Sequence, residues 1–229
     1  MGKITEPPSF GSPPAPGAPE RAARPRRGRR DALAGALRIE ALSLSYNVVE
    51  AGIGIAAGLA AGSVALVGFG LDAVVESASA GVLLWRLGTE RRGRRTAEEA
   101  ERRAVRLVAV AFGALALYVG VRAVLDLAAA TRPDESTIGI VLAVVSLIVM
   151  PALARAKRRA ARELDSRSLE GDSAQTILCT YMSAALLGGL LANSLLGWWW
   201  ADPIAGLVIA ALAAKEAREL WVTEDFCCA

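Results

Sequence analysis

The stretch "GSVALVGFGLDAVVESASAGVLLWR", residues 62–86, decides how this chain folds. It is long and apolar enough for a helix crossing the hydrocarbon of a bilayer, which takes about 20 residues. It nonetheless carries Asp72 and Glu76. Four residues make about one helical turn, so both carboxylates leave the same face of that helix. Two like charges a turn apart in low dielectric share a proton, touch water or bind a cation. The nearest base in the stretch is Arg86, at its far end, so a positive partner has to come from elsewhere.

The whole chain supports a membrane setting. Its 229 residues are 54% hydrophobic but only 5% aromatic, and its mean hydropathy is +0.39, a profile rich in small aliphatic side chains. The formal charge of +3 is too small to point to nucleic acid, and no nucleic-acid partner is expected. Histidine is absent. Ion or proton chemistry must therefore use carboxylates, amides or thiols. Cys179, Cys227 and Cys228 are too few and too unevenly spaced for a disulfide framework, which fits a reducing or intramembrane setting.

Outward from the opening stretch, five more apolar segments follow the same logic, giving six at about 38–62, 64–87, 104–128, 137–157, 172–196 and 203–221. Backbone amides in lipid must be satisfied within the segment, and no alternating pattern suggests a barrel, so an all-α bundle of six transmembrane helices is expected. Residues 1–35 form a basic Pro/Arg-rich tail expected to be disordered, 36–221 the membrane domain and 222–229 a short tail. Arginine and lysine concentrate before helix 1, between helices 2 and 3 (Arg91, Arg92, Arg94, Arg95) and between helices 4 and 5 (Arg155, Lys157, Arg158, Arg159, Arg162). The opposite connectors hold Arg132 as their only base, so both termini are expected in the cytoplasm. Trp198, Trp199 and Trp200 suit the headgroup belt, with Asp202 as a cap for helix 6 and Pro203 in its first turn.

Charges inside such segments are costly and mark function by default. Arg122 and Asp126, four apart on helix 3, read as a self-contained ion pair. Glu50 and Asn47 share a face of helix 1 and read either as a hydrogen-bonded strut or as part of a hydrophilic path. Helix 5 begins "EGDSAQTILCTYMS", residues 170–183, which puts Asp172, Gln175 and Cys179 on one stripe. Helices 2 and 5 run in opposite directions, so Asp72, Glu76, Gln175 and Cys179 can face one another as four O and S donors suited to a divalent cation. Gln175 and Cys179 can equally be read as helix-packing residues.

The opening stretch and "SRSLEGDSAQTILCTYMSAALLGGLLANSLLGWWWADPIAGLVIA" resemble helices 2 and 5–6 of the cation diffusion facilitators, six-helix exporters of divalent metals. The resemblance covers about residues 36–221. It implies a transport site in which Asp72 and Glu76 take the acidic pair of helix 2, and Gln175 and Cys179 stand where the family usually has histidine and aspartate. It also implies the membrane domain alone, since the chain stops about eight residues past helix 6, where the family's cytoplasmic metal-binding domain usually begins.

The expected function is then a secondary transporter that exports a transition-metal dication, zinc first, or cobalt, cadmium or manganese, in exchange for protons. Helices 1, 2, 4 and 5 would rock against the 3–6 pair. Asp172 would draw cations in, and Asn47 and Glu50 would line the route. No covalent chemistry or resident cofactor is implied, so the chain reads as a non-enzyme in a bacterial plasma membrane, in contact with lipid, with a homodimer left open. Two other classes compete: a membrane scaffold or assembly subunit, for which Gly54, Gly58 and Gly62 would supply close helix packing, and a small exporter of organic cations.

Overall fold

The computed structural model describes residues 26–92 and 98–223, and within them the chain is built of helices: α1 (Arg26–Ala61), α2 (Val64–Arg91), α3 (Glu98–Ala128), α4 (Thr137–Leu164), α5 (Arg167–Leu196) and α6 (Ala201–Thr223). Residues 1–25 of the expected tail, Arg94, Arg95, Cys227 and Cys228 lie outside the described residues. Five helices are long and apolar enough to cross a membrane by length and composition. The sixth, α6, carries Lys215, Glu216, Arg218 and Glu219 in its last turns, which shortens its apolar part.

The distribution of side chains is inverted relative to a water-soluble bundle. Leu42, Leu59, Leu107, Leu117, Ile148 and Leu195 point outward and exposed, whereas Glu40, Asn47, Glu50, Asp72, Glu76, Lys157, Asp172 and Gln175 are buried. Such a surface suits hydrocarbon, and such an interior is where intramembrane charges belong.

Helix ends follow local chemistry. The Ser63 hydroxyl accepts the Leu66 N–H at 3.0 Å and the Ser136 hydroxyl accepts the Gly139 N–H at 3.1 Å, capping α2 and α4. Gly197 ends α5 at φ +65° and Gly62 turns the chain between α1 and α2 at φ +66°, conformations that a residue without Cβ adopts freely. Gly62 thus serves a turn, not the helix packing expected of it. Gly54 and Gly58 do pack: a Cβ on Gly58 would lie 2.6 Å from the Val67 nitrogen, and one on Gly54 3.0 Å from Gly70 Cα. The backbones of α1 and α2 therefore run nearly in contact.

α1 also starts earlier than hydropathy indicates. Residues 26–35, expected as tail, continue the helix because Leu33 and Ala36 pack into an apolar cluster with Leu83 and Leu87 of α2, Ala160, Ala161 and Leu164 of α4, and Leu169 of α5. This cluster closes the end of the bundle marked by the exposed Arg155, Arg158, Arg159 and Arg162, here termed the arginine end. The opposite, tryptophan end holds Gly62, the 129–136 connector and Trp198, which stacks on Trp200 with ring centroids 5.1 Å apart. α1, α2, α4 and α5 enclose the polar interior. α3 packs chiefly on α6, and this pair lies against α2 and α5.

Two expectations for single side chains resolve differently. Arg122 and Asp126 pair at 3.5 Å, with Arg122 half exposed and Asp126 buried, as the spacing predicts. Asp202 sits inside the first turn of α6 and does not cap it. Its carboxylate instead accepts the Ser63 hydroxyl at 2.5 Å and the Val64 N–H at 3.0 Å, so it caps α2 from across the bundle. The start of α2 offers amide donors and the positive end of a helix dipole, which outcompete the carboxylate's own helix. Asp202→Ala should accordingly lower stability by about 2 kcal/mol, the cost of leaving buried donors unmet. Asp202→Asn, which keeps an acceptor, should lose less. SDS-induced unfolding of the three proteins checks the order, and equal stability of wild type and the alanine variant would remove the clamp.

Candidate metal-transport site

The interior is assembled from stripes at helical spacing. On α1, Glu40, Ser43, Asn47 and Glu50 follow one another on one face and are all buried, giving way to Gly54 and Gly58 further along. α2 contributes Asp72, Glu76 and Ser79, and α5 contributes Asp172, Gln175, Thr176 and Cys179. α4 adds Ser146 and Lys157.

The antiparallel register of α2 and α5 sets the contacts. The Cys179 thiol lies beside the carboxylates of Asp72 and Glu76. One turn nearer the arginine end, the Ser79 hydroxyl donates to Gln175 Oε1 at 3.2 Å. Asp72, Glu76 and Cys179 therefore share one level, and Gln175 occupies the next. All four are at most 4% exposed, so the site is sealed from both faces.

Several polar atoms in this region have no partner. Both Glu76 carboxylate oxygens, Gln175 Nε2, Glu50 Oε2 and both amide atoms of Asn47 are buried without a hydrogen bond. The neighbouring Thr176 hydroxyl cannot serve Glu76, because it donates to the Asp172 carbonyl at 3.0 Å. Orphaned groups thus lie on the inward faces of α1, α2 and α5, and unmet buried acceptors are rare where no ligand or water is to be bound. No three acidic or thiol groups among the described residues are gathered tightly enough to hold one ion as they stand. The donors are neighbours whose closure on an ion takes side-chain movement.

Glu50 makes the hydrogen-bonded strut that its position on helix 1 allows. Its Oε1 accepts from the Ser146 hydroxyl, with the Tyr46 hydroxyl 3.4 Å away, which ties α1 to α4. Its charge also acts on Asp72 and Glu76. Asp172 lies nearer the arginine end, where Lys157 Nζ stands 2.6 Å from its Oδ2.

Sequence reasoning passed over Glu40, Lys157 and Glu216. Glu40 continues the Asn47–Glu50 stripe by two further turns, a periodicity visible in the sequence. Lys157 stands within a run of arginines and reads as one more topology charge. Only its register with Ala143, Ser146, Met150 and Ala154 on the inward face of α4 separates it from its exposed neighbours. Glu216 of α6, buried with Oε2 unpartnered, extends its charge to Asp72 and Glu76 from the side of the α3–α6 pair.

The interior chemistry is one-sided: among the described residues Glu40, Glu50, Asp72, Glu76 and Asp172 face a single buried ammonium, that of Lys157. In a medium of low dielectric such an excess of carboxylates is tolerable only with cations or protons among them. The chain is similar to known proteins. A segment of 87 residues is 31% identical to the cation-efflux pump FieF of Shewanella oneidensis, a match covering 38% of this chain and 29% of that pump. The chain thus spans under a third of the length of the curated relative it matches. The description "cation efflux transmembrane domain" fits residues 41–223, most of the chain and all the polar stripes except Glu40 at its edge. This protein is an integral membrane member of the cation efflux family.

Proposed function

We propose that this protein exports a divalent transition-metal ion from the cytosol, zinc foremost and cobalt, cadmium or manganese within its range, in exchange for protons. Asp72, Glu76 and Cys179 hold the ion, Gln175 completes the set as the α2–α5 interface closes, and Asn47 and Glu50 line the approach. The single observation that supports this reading is the pair of orphaned Glu76 oxygens beside Asp72 and Cys179 in a sealed, acid-rich interior. Protons given up by the carboxylates and thiol as the dication arrives, and regained as it leaves, provide the exchange.

The helix grouping supports alternating access, with α1, α2, α4 and α5 rocking against the α3–α6 pair. The arginine end faces the cytoplasm by the positive-inside rule, placing both termini there, and the host membrane is a bacterial inner membrane. Reconstitution in liposomes tests the reading: metal uptake with a matching pH change is expected. Organic-cation flux without metal flux, or no flux at all, would replace it with one of the two competing classes.

The thiol bears on selectivity, since sulfur favours soft ions over hard ones. A ligand at ~100 Kd stabilises its protein by about 2.7 kcal/mol, and tenfold weaker binding removes about 1.4 kcal/mol of that. Cys179→Ser should therefore lose about half of the thermal stabilisation given by cadmium or zinc and little of that given by manganese. Equal losses for all three ions would take Cys179 out of the ligand set.

A further inference from the structure

Lys157 is wholly buried, and three helices converge on it. Its ammonium lies 2.6 Å from Asp172 Oδ2 of α5 and 3.5 Å from Glu40 Oε2 of α1, and it donates to the Thr176 hydroxyl at 3.1 Å. The cluster is short of donors. Glu40 keeps both oxygens buried without a hydrogen bond, and the ammonium at 3.5 Å is the one cation paired with it among the described residues. An ion pair buried this deeply gains little over a well-packed apolar contact, so stability alone is a weak reason for it.

Its position gives a stronger one. Asp172 precedes Cys179 by seven residues of one helix, which sets the cluster roughly 10 Å from the level of Cys179 towards the arginine end. Ser43 and Asn47 on α1 and Ser79 on α2 fill the interval with buried polar groups. Beyond the cluster comes the apolar seal of Leu33, Leu83, Leu87, Leu164 and Leu169. Glu40, Asp172 and the Thr176 hydroxyl thus form an all-oxygen cation site in line with the metal donors, and a tethered ammonium sits in it.

We propose that Glu40 and Asp172 are a second cation-binding station on the transport path, filled in this closed state by the protein's own Lys157, which a passing dication displaces. The role in transport rests on the exporter reading, whereas the station is a property of the cluster alone. A set of oxygen donors suits a hard dication such as manganese.

The test counts Mn2+ bound per chain by the loss of the free-ion EPR signal, using the purified full chain. Lys157→Met, close in length but uncharged, should bind one Mn2+ more than wild type. Lys157→Arg, which keeps the resident cation, should bind the wild-type number. The triple variant Lys157→Met/Glu40→Gln/Asp172→Asn should return to that number as well. A folded Lys157→Met protein with no extra ion overturns the proposal, as does an extra ion retained in the triple variant. If Lys157→Met folds only when Mn2+ is present, the ion is supplying the missing charge and the proposal stands. If it stays unfolded at millimolar Mn2+, the proposal fails. Failure of the transport-site assignment would appear separately, as unchanged ion binding in Asp72→Asn, and would leave the difference between wild type and Lys157→Met intact.

Discussion

Replacing Asp72 by alanine is expected to abolish metal movement into proteoliposomes while the protein stays folded. Asp72 is 3% exposed, faces Cys179 across the α2–α5 interface and lies one turn from Glu76. Its loss leaves a dication with one carboxylate, a thiol and an amide, too little charge to offset dehydration in a sealed interior. Altering partners that merely orient metal ligands costs roughly 10–100-fold in affinity or activity, so removing a ligand should cost about 100-fold or more. Folding should survive because Asp72 makes no contact that ties helix ends together, and its removal relieves repulsion from Glu76. An encapsulated zinc indicator gives the flux, and gel filtration with circular dichroism gives the fold. A folded variant with flux near that of wild type would remove Asp72 from the site.

The second large effect concerns packing. A Cβ on Gly70 would stand 2.6 Å from the Ile55 nitrogen and 2.9 Å from the Gly54 carbonyl carbon, contacts with backbone that cannot step aside. Gly70→Leu therefore has to drive α1 and α2 apart along the seam that aligns the Asn47–Glu50 stripe with Asp72 and Glu76. Overpacking a core that can adjust costs roughly 1–3 kcal/mol, and a seam closed by backbone should exceed that. The expected outcome is a variant that yields no monodisperse protein, with Gly70→Ala folded but markedly less stable. Gly81 on the same helix is the matched control, because nothing lies within 4 Å of a Cβ there. Gly81→Ala should be neutral or gain up to about 1 kcal/mol from helix propensity. Comparable losses at positions 70 and 81 would refute the close-contact account.

The contrast between what the sequence made legible and what it hid follows from the range of the interactions. Apolar runs report where lipid is, so the six helices and the Asp72/Glu76 face were readable, as were the stripe of helix 5 and the Arg122–Asp126 pair. Helix ends beyond the hydrocarbon were not: hydropathy ends α4 at about residue 157, whereas the helix continues to Leu164. Lys157 reads as a boundary charge for the same reason, since a base among arginines resembles one until its face is counted. Asp202 was assigned to its own helix because capping is normally local, yet its partner Ser63 lies 139 positions away. Only three-dimensional closure puts those two residues together.

That carboxylate would also serve as a pivot in the rocking proposed above. Asp202 belongs to the α3–α6 pair and grips the first residues of α2 at the tryptophan end. A tilt of α6 against α2 then has its fulcrum at that corner, and displacement grows with distance along the lever. Over a helix of 28 residues, about 42 Å long, a tilt of about 10° carries the free end through about 7 Å. In the rocking proposed above, an opening towards the cytoplasm would be widest at the arginine end, beside the leucine seal and the tethered ammonium, with the grip at Ser63 nearly still.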